Sequence, residues 1–368
     1  MSTKKDRFSS KDKNYMKLAI NLARARSGLT GENPSVGCLI VKNDKIVSIG
    51  QTGFGGRPHA EDNAIKNSFQ KLDGSKMYVT LEPCNHYGKT PPCTNSIIKS
   101  GISELIYSME DIDKRVKGKS FRILTNRNIK VKKGLLKENA KSLYESYIKN
   151  KTKKLPYITA KLAVSKNNLI YSKGSNRITN KSSDKITHYL RYKNDSIMIS
   201  SKTLNIDNPK LNCRLKGYEK FSPKRIILDK DLKIKFKSFI FKSAKKGNTV
   251  LFHNSPDIAK IKVLRKKGIT LIKTKLNRDR LLDLNIVLKK LFVLGTRNLL
   301  IEGGDKITKN LIKRRLVDTF YLFQSPKILK KSKVNQSFTS FKILNNKYKK
   351  TSKIISKLAK DNITIYKR

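Results

Sequence analysis

VTLEPCNHYGKTPPC, residues 79–93, sets Pro83-Cys84 ahead of a second cysteine, Cys93, and follows the triplet His59-Ala60-Glu61. One imidazole and two thiolates supply three zinc ligands and leave the fourth tetrahedral position to water. Zinc brings the pKa of such a water from about 15.7 to near 7, so hydroxide is available at neutral pH. Hydrolytic deamination also needs a group that collects a proton and hands it to the departing amine. Glu61, two residues from the imidazole, is placed for that shuttle. The residues thus read as a nucleobase-type zinc deaminase, with His59, Cys84 and Cys93 on the metal and Glu61 catalytic.

Neighbouring residues test this reading. Cys93 falls at an expected helix start, after Pro91-Pro92, where the positive end of the helix dipole favours a thiolate. Residues two apart point about 200° away from each other on an ideal helix, so His59 and Glu61 must sit in an irregular first turn or use long side-chain reach. Cys38 lies in an apolar strand and reads as core, and Cys213 has no metal-type partner nearby. A structural zinc site would need a fourth protein ligand, for which His86 is the only candidate.

The chain has 368 residues, enough for two cores. Residues 14–27 carry apolar side chains at helical spacing, and 36–50 read as a hairpin turning at Asn43-Asp44. Helices are expected at 60–71, from Cys93 and at 135–149, and strands at 77–81 and 104–108. KNKTKKLP (149–156) is the candidate linker, which divides the chain into domains 1–150 and 155–368. In the second, strands fit at 157–164, 196–200, 225–229, 249–252, 270–273, 298–302, 318–323 and 362–366. Helices fit there at 182–193, 257–267, 280–293 and 305–314, and 327–357 reads as a lysine-rich tail. Both halves are α/β.

No apolar run reaches the roughly 18–20 residues of a membrane span. Met1–Lys13 is polar with no apolar stretch behind it, so the expected location is cytoplasmic. Lys and Arg number 83 against 27 Asp and Glu, a formal charge of +56. These cations are spread along the chain rather than packed into one arm or stripe. Their field would draw in phosphorylated small molecules within a Debye length of roughly 8 Å.

NPSVGCLIV (33–41), HAE (59–61), the 79–93 stretch with its long gap between cysteines, and SMED (108–111) together resemble the bifunctional riboflavin-biosynthesis deaminase/reductase family. The resemblance covers nearly the whole chain. It implies an N-terminal cytidine-deaminase-like three-layer domain and a C-terminal dihydrofolate-reductase-like α/β domain. It further implies zinc and NADPH as cofactors, a phosphoribosylated diaminopyrimidine substrate and a homodimer. The first domain would remove an amino group, and the second would reduce the ribosyl chain to ribityl. By the same resemblance Asn33, His86 and Lys89 contact substrate in the first half. Lys161, Ser175, Arg191, Leu211, Arg214 and Glu302 do so in the second, where Ala163, Arg177, Thr203, Asp207, Gly303 and Gly304 hold the cofactor.

Some of these have a physical basis of their own. Gly303-Gly304 between a strand and a helix offers bare N–H groups to a phosphate, and arginines clamp sugar phosphates bidentately. Three places depart from the family pattern. Ser165-Lys166-Asn167-Asn168 stands for Ser-Leu-Asp-Gly, Arg177 for an aromatic, and Asp111-Ile112-Asp113-Lys114 for Asp-Pro-Asn-Pro. A different class of reading is a tRNA-acting zinc deaminase with a basic binding domain. The cysteine spacing, the second α/β alternation and the absence of Trp for base stacking weigh against a nucleic-acid partner.

Overall fold

A computed structural model describes residues 8–171, 178–330, 336–348, 350–354 and 360–368. The chain divides into two compact units, Met1–Lys154 and Leu155–Arg368.

The first unit runs α1 (Ser10–Arg26), β1 (Gly37–Lys42), β2 (Lys45–Gln51), α2 (Ala60–Lys66), β3 (Lys76–Leu81), α3 (Cys93–Lys99), β4 (Glu104–Met109), α4 (Lys119–Thr125), β5 (Lys130–Lys133), α5 (Lys137–Leu143) and α6 (Glu145–Lys153). A reciprocal capping box starts α1: the Ser9 side chain accepts from Asp12 N, and Ser9 N donates to the Asp12 carboxylate. The strands form one sheet in the order β2-β1-β3-β4-β5, with β1 antiparallel to both neighbours and β3, β4 and β5 parallel. Alternate residues serve opposite faces. Leu39, Val41, Tyr78 and Ile106 pack under Met16, Ala19 and Ile20 of α1. Cys38, Ile40, Val79 and Tyr107 pack against Ala60 and Ala64 of α2, Ile97 of α3 and Leu124 of α4. Burial on both faces accounts for the near-continuous apolar strands. Helix, sheet and helix make three layers, as expected.

Several expected boundaries moved: the helix expected at 60–71 ends at Lys66, and the one expected at 280–293 begins at Leu284. The helix expected at 135–149 breaks at Tyr144, whose hydroxyl lies 2.6 Å from Thr80 Oγ1 inside the sheet. Most of the candidate linker at 149–156 is helical, because α6 continues to Lys153; Lys154 then leaves it at φ 54.

The second unit continues with β6 (Tyr157–Val164), β7 (Leu169–Tyr171), α7 (Lys181–Tyr192), β8 (Ser196–Ser200), α8 (Ser201–Asp207), β9 (Lys224–Leu228), α9 (Phe239–Lys242), β10 (Thr249–His253), α10 (Ile258–Lys266), β11 (Thr270–Lys273), α11 (Leu284–Val293), β12 (Asn298–Ile301), α12 (Asp305–Lys313), β13 (Thr319–Gln324), β14 (Gln336–Ser337), α13 (Phe341–Lys347), β15 (Lys350–Ile354) and β16 (Asn362–Lys367). Among the described residues the main sheet orders β11-β10-β9-β8-β12-β6-β13-β16-β15. It is parallel from β11 to β13, and β16 and β15 close it antiparallel. Leu288 of α11 and Leu311 of α12 cover one face, and Leu190 of α7, Leu204 of α8 and Leu264 of α10 cover the other. The lysine-rich tail at 327–357 holds β14, α13 and β15. Leu344 and Tyr348 are buried there, so sparse apolar anchors suffice.

Because β12 inserts between β6 and β8, the chain reverses direction across the sheet at this point. In open α/β sheets, the crevice beyond the carboxyl ends of such strands is where ligands bind.

Candidate functional site

His59 is the N-cap of α2 with extended backbone (φ −68, ψ 160), and Glu61 is the second residue of the helix. One residue lies outside the helix and the other inside, which removes the helical-wheel conflict and lets both face one cleft. Cys84 follows β3, and Cys93 opens α3 behind the N-cap Pro92. The backbone N–H of Cys93 donates to Cys84 Sγ at 3.3 Å, the helix-start arrangement that favours a thiolate. His59 Nδ1 lies 3.2 Å from Cys93 Sγ and 3.5 Å from Cys84 Sγ.

The ligand atoms of these three residues all fall within 4.8 Å of one another, and among the described residues no other such group occurs. An imidazole with two sulfurs, and no fourth protein ligand, fits a zinc ion that keeps one position open. His86 is not part of the group, so the four-ligand structural alternative loses its candidate. Cys38 is fully buried in the sheet, and Cys213 Sγ reaches His188 O at 3.6 Å in the other unit.

The electrostatics suit proton transfer. Burial, then the neighbouring Cys84 sulfur, pushes the Glu61 carboxyl from 4.5 up to about 7. Cys84 is held down to about 4, first by the Cys93 thiol and then by His59 and the Cys93 N–H. Pairing with Cys84, then burial, pushes Cys93 well up. The bond to Cys84 raises His59.

A cleft of about 370 Å³ opens onto the group, and His59, Glu61, Cys84, Asn33, His86 and Lys89 all line it. Asn33 Nδ2 donates to Gly56 O at 2.8 Å, bracing the loop before His59. Lys89 is exposed at the rim, and His86 keeps a buried Nδ1 without a partner among the described residues.

The structure adds lining residues that spacing alone did not single out. Glu82 accepts from the backbone N–H groups of Asp111, Gly118 and Ser120 and so ties Pro83-Cys84 to the 110–120 loop. Asp111 accepts from Tyr147 Oη at 3.0 Å, and burial raises its carboxyl. Asp113 takes both Arg115 (2.7 Å) and Lys151 (3.1 Å), whose charges hold it well below the usual carboxylate range. The signal for this wall was the SMED stretch, read only as a family mark.

In the second unit Thr203 follows the carboxyl end of β8, and Glu302, Gly303 and Gly304 follow that of β12. Thr203 lies in the first turn of α8, where its N–H donates to Ser200 Oγ at 3.3 Å; Asp207 ends that helix. Gly303 and Gly304 link β12 to α12. A Cβ on Gly303 would stand 2.2 Å from Ile307 Cγ2, so any larger residue there would force the Ile307 side chain to shift. Ala163 and Lys161 share a face of β6, and the Lys161 ammonium lies 4.8 Å from the centre of the Phe323 ring. Burial lowers Lys161.

Arg191 spends its donors inside the protein. Nε and Nη2 each reach Glu302 at 2.8 Å, and Nη1 reaches Asn212 O at 3.1 Å. Leu211 is buried in the left-handed region (φ 54), while Arg214 is exposed with its backbone N–H on His188 Nδ1. Ser175 and Arg177 lie outside the described residues. One departure from the family pattern finds a physical reason: Asn168 takes φ 63, the left-handed position where the family has glycine. Asn167 meanwhile bonds Leu329 in both directions, through Nδ2 and Oδ1.

Comparison with known proteins agrees with this arrangement. A family model described as the cytidine and deoxycytidylate deaminase zinc-binding region matches residues 9–109. One described as the RibD C-terminal domain matches residues 156–360. The riboflavin biosynthesis protein RibD of Aquifex aeolicus is 34% identical over 97% of this chain and 98% of its own length. That of Escherichia coli is 29% identical over 86% of this chain and 88% of its own. Among solved structures, Acinetobacter baumannii RibD superposes with TM-score 0.82 and 25% identity, covering 97% of this chain and 98% of that one. A Thermotoga maritima diaminohydroxyphosphoribosylaminopyrimidine deaminase/5-amino-6-(5-phosphoribosylamino)uracil reductase does so with TM-score 0.80 and 28% identity over the same shares. No helix among the described residues is long and apolar enough to cross a membrane. Matches that run through both units disfavour a tRNA deaminase with a basic appendage. The chain belongs to the RibD family, the bifunctional enzymes of riboflavin biosynthesis that join a zinc-dependent deaminase to an NADPH-dependent reductase.

Proposed function

We propose that domain 1–150 hydrolyses the amino group of 2,5-diamino-6-(5-phosphoribosylamino)pyrimidin-4(3H)-one, and that domain 155–368 then reduces the ribosyl chain of the resulting aminouracil. The observation that carries this reading is the convergence of His59, Cys84 and Cys93 beside a buried Glu61 in one cleft. The names of the relatives and the division at Lys154 support the domain assignment.

His59, Cys84 and Cys93 would hold zinc, which when bound acts as a Lewis acid that makes water nucleophilic at neutral pH. Glu61 accepts the proton on a carboxylate oxygen and returns it to the leaving nitrogen, which departs as ammonia. A buried carboxyl, which holds a proton more readily than an exposed one, is suited to both steps. Asn33, His86 and Lys89 orient the phosphoribosylated ring in the cleft.

In the second domain Ala163, Thr203, Asp207, Gly303 and Gly304 would hold NADPH, which supplies a hydride. The N–H groups where α12 begins would be available to its phosphates. Lys161, Leu211, Arg214 and the Arg191–Glu302 pair form the substrate side. Ser175 and Arg177 join these two sets by their place in the sequence. The enzyme works as a cytoplasmic homodimer. β2 supports pairing of two copies, because it lies at the edge of its sheet with Ile46 and Ile49 nearly half exposed.

The test is purified chain with the diaminopyrimidine substrate, with and without NADPH, following ammonia and NADPH absorbance together. Ammonia should appear without NADPH, and NADPH oxidation should require prior deamination. Zinc-loaded protein that releases no ammonia overturns the reading.

A further inference from the structure

Arg57 lies two residues before His59 and lines the same cleft, yet the deaminase reading above gives it no role. Its surroundings are built. Gly53 N donates to Pro58 O at 2.9 Å and closes the segment carrying Arg57 on itself, while Gly55 N donates to Leu29 O at 2.9 Å and Asn33 Nδ2 to Gly56 O at 2.8 Å, tying it to residues 29–33. Arg57 is half-buried, and its Nη1 donates to Thr90 Oγ1 at 2.8 Å across the mouth of the cleft.

The charge balance around the cleft is uneven. On one wall Arg115 and Lys151 are already paired with Asp113. Arg57 and Lys89, by contrast, meet no carboxylate among the described residues, and the buried Nδ1 of His86, in the same loop as Lys89, has no partner. A guanidinium carries five N–H donors in a planar fork, and one bond to Thr90 leaves most of them for a ligand. Arg57 and Lys89, which line the cleft with His86 and pair with no carboxylate among the described residues, offer N–H donors that suit a multi-oxygen anion.

We propose that Arg57, oriented by Thr90, is a specificity-determining residue of the deaminase, binding the phosphate monoester of its substrate together with Lys89. This rests on the deaminase reading above, and it adds a residue outside the metal group.

The experiment compares parental chain, Arg57→Met, Arg57→Lys and Thr90→Val, all zinc-loaded, on the phosphorylated substrate and on its dephosphorylated form. Loss of a charge-assisted bond should raise KM for the phosphorylated form about tenfold to a hundredfold in Arg57→Met, with kcat nearly kept. On the dephosphorylated form Arg57→Met and parent should have the same KM, and Arg57→Lys should fall between them on the phosphorylated one. Thr90→Val should show a smaller rise in KM that is likewise confined to the phosphorylated form, whereas equal KM changes on both substrates in Arg57→Met would make Arg57 a loop latch and overturn the proposal.

Calorimetric titration with ribose 5-phosphate supplies a readout independent of turnover. The parental chain should show a phosphate-dependent site that Arg57→Met weakens at least about tenfold. Identical isotherms overturn the proposal. Arg57-dependent binding by a chain that releases no ammonia would instead overturn the assigned reaction and leave the anion site standing.

Discussion

Gly50 of β2 lies directly beneath Ala60 of α2, so close that a Cβ on Gly50 would stand 2.1 Å from Ala60 O. His59 and Glu61 flank Ala60, so this backbone contact sets the height of both above the sheet. Gly50→Ala must push α2 outward, an overpacking cost of roughly 1–3 kcal/mol. The variant should show a lower urea midpoint and should give up zinc to a chelator sooner than the parent. Unchanged zinc retention would mean that the contact does not position His59.

The two sulfurs are separable from the reductase. Cys84→Ser should weaken zinc binding on the order of 100-fold or more, since even outer-shell changes cost 10–100-fold. Ammonia release should disappear. The same protein, supplied with the already deaminated aminouracil, should still oxidise NADPH, because Cys84 lies in the Met1–Lys154 unit. Parallel loss of both activities would contradict two separately folded units.

Chemistry carried by residue identity was legible from the sequence, and chemistry carried by tertiary pairing was not. His59, Cys84, Cys93 and Glu61 announce themselves because zinc requires those types, and their convergence follows from the ends of β3, α2 and α3. The long apolar strands were equally plain, being buried on both faces. Tyr144 could not be foreseen as a helix break, since its partner Thr80 lies 64 residues away. β5, with the sequence KVKK, hides as a polar edge strand held in register by β4. Arg191 looked like a phosphate clamp, and only the fold shows that it faces Glu302 across 111 residues.

That pair should be costly to break singly. Both side chains are largely buried and joined by two parallel 2.8 Å bonds. Removing one partner strands the other charge, at a cost on the order of 3–5 kcal/mol. Glu302→Leu should therefore lower the thermal midpoint of the second unit steeply. The double variant Arg191→Met/Glu302→Leu should recover part of the loss, and strictly additive losses would deny the coupling.

His188 ties stability to pH. Its Nδ1 accepts from Arg214 N at 3.2 Å, which requires the neutral ring. Burial, then Arg191 and Arg214, lowers its pKa from 6.5 to about 4. Between those values the unfolded chain binds more protons than the folded one, so this contribution is complete above 6.5 and is lost as pH falls toward 4. The urea midpoint should therefore drop between about pH 7 and about pH 4.5, and drop less in His188→Gln. Equal drops would assign the acid sensitivity to other groups.

The most direct test is Glu61→Gln, assayed for ammonia release and for zinc per chain on the same sample. Glutamine keeps the shape of the side chain and cannot accept the proton. Zinc content should match the parent while ammonia release from the diaminopyrimidine falls by at least about 100-fold. Deamination at the parental rate with zinc in place would contradict the role assigned to Glu61.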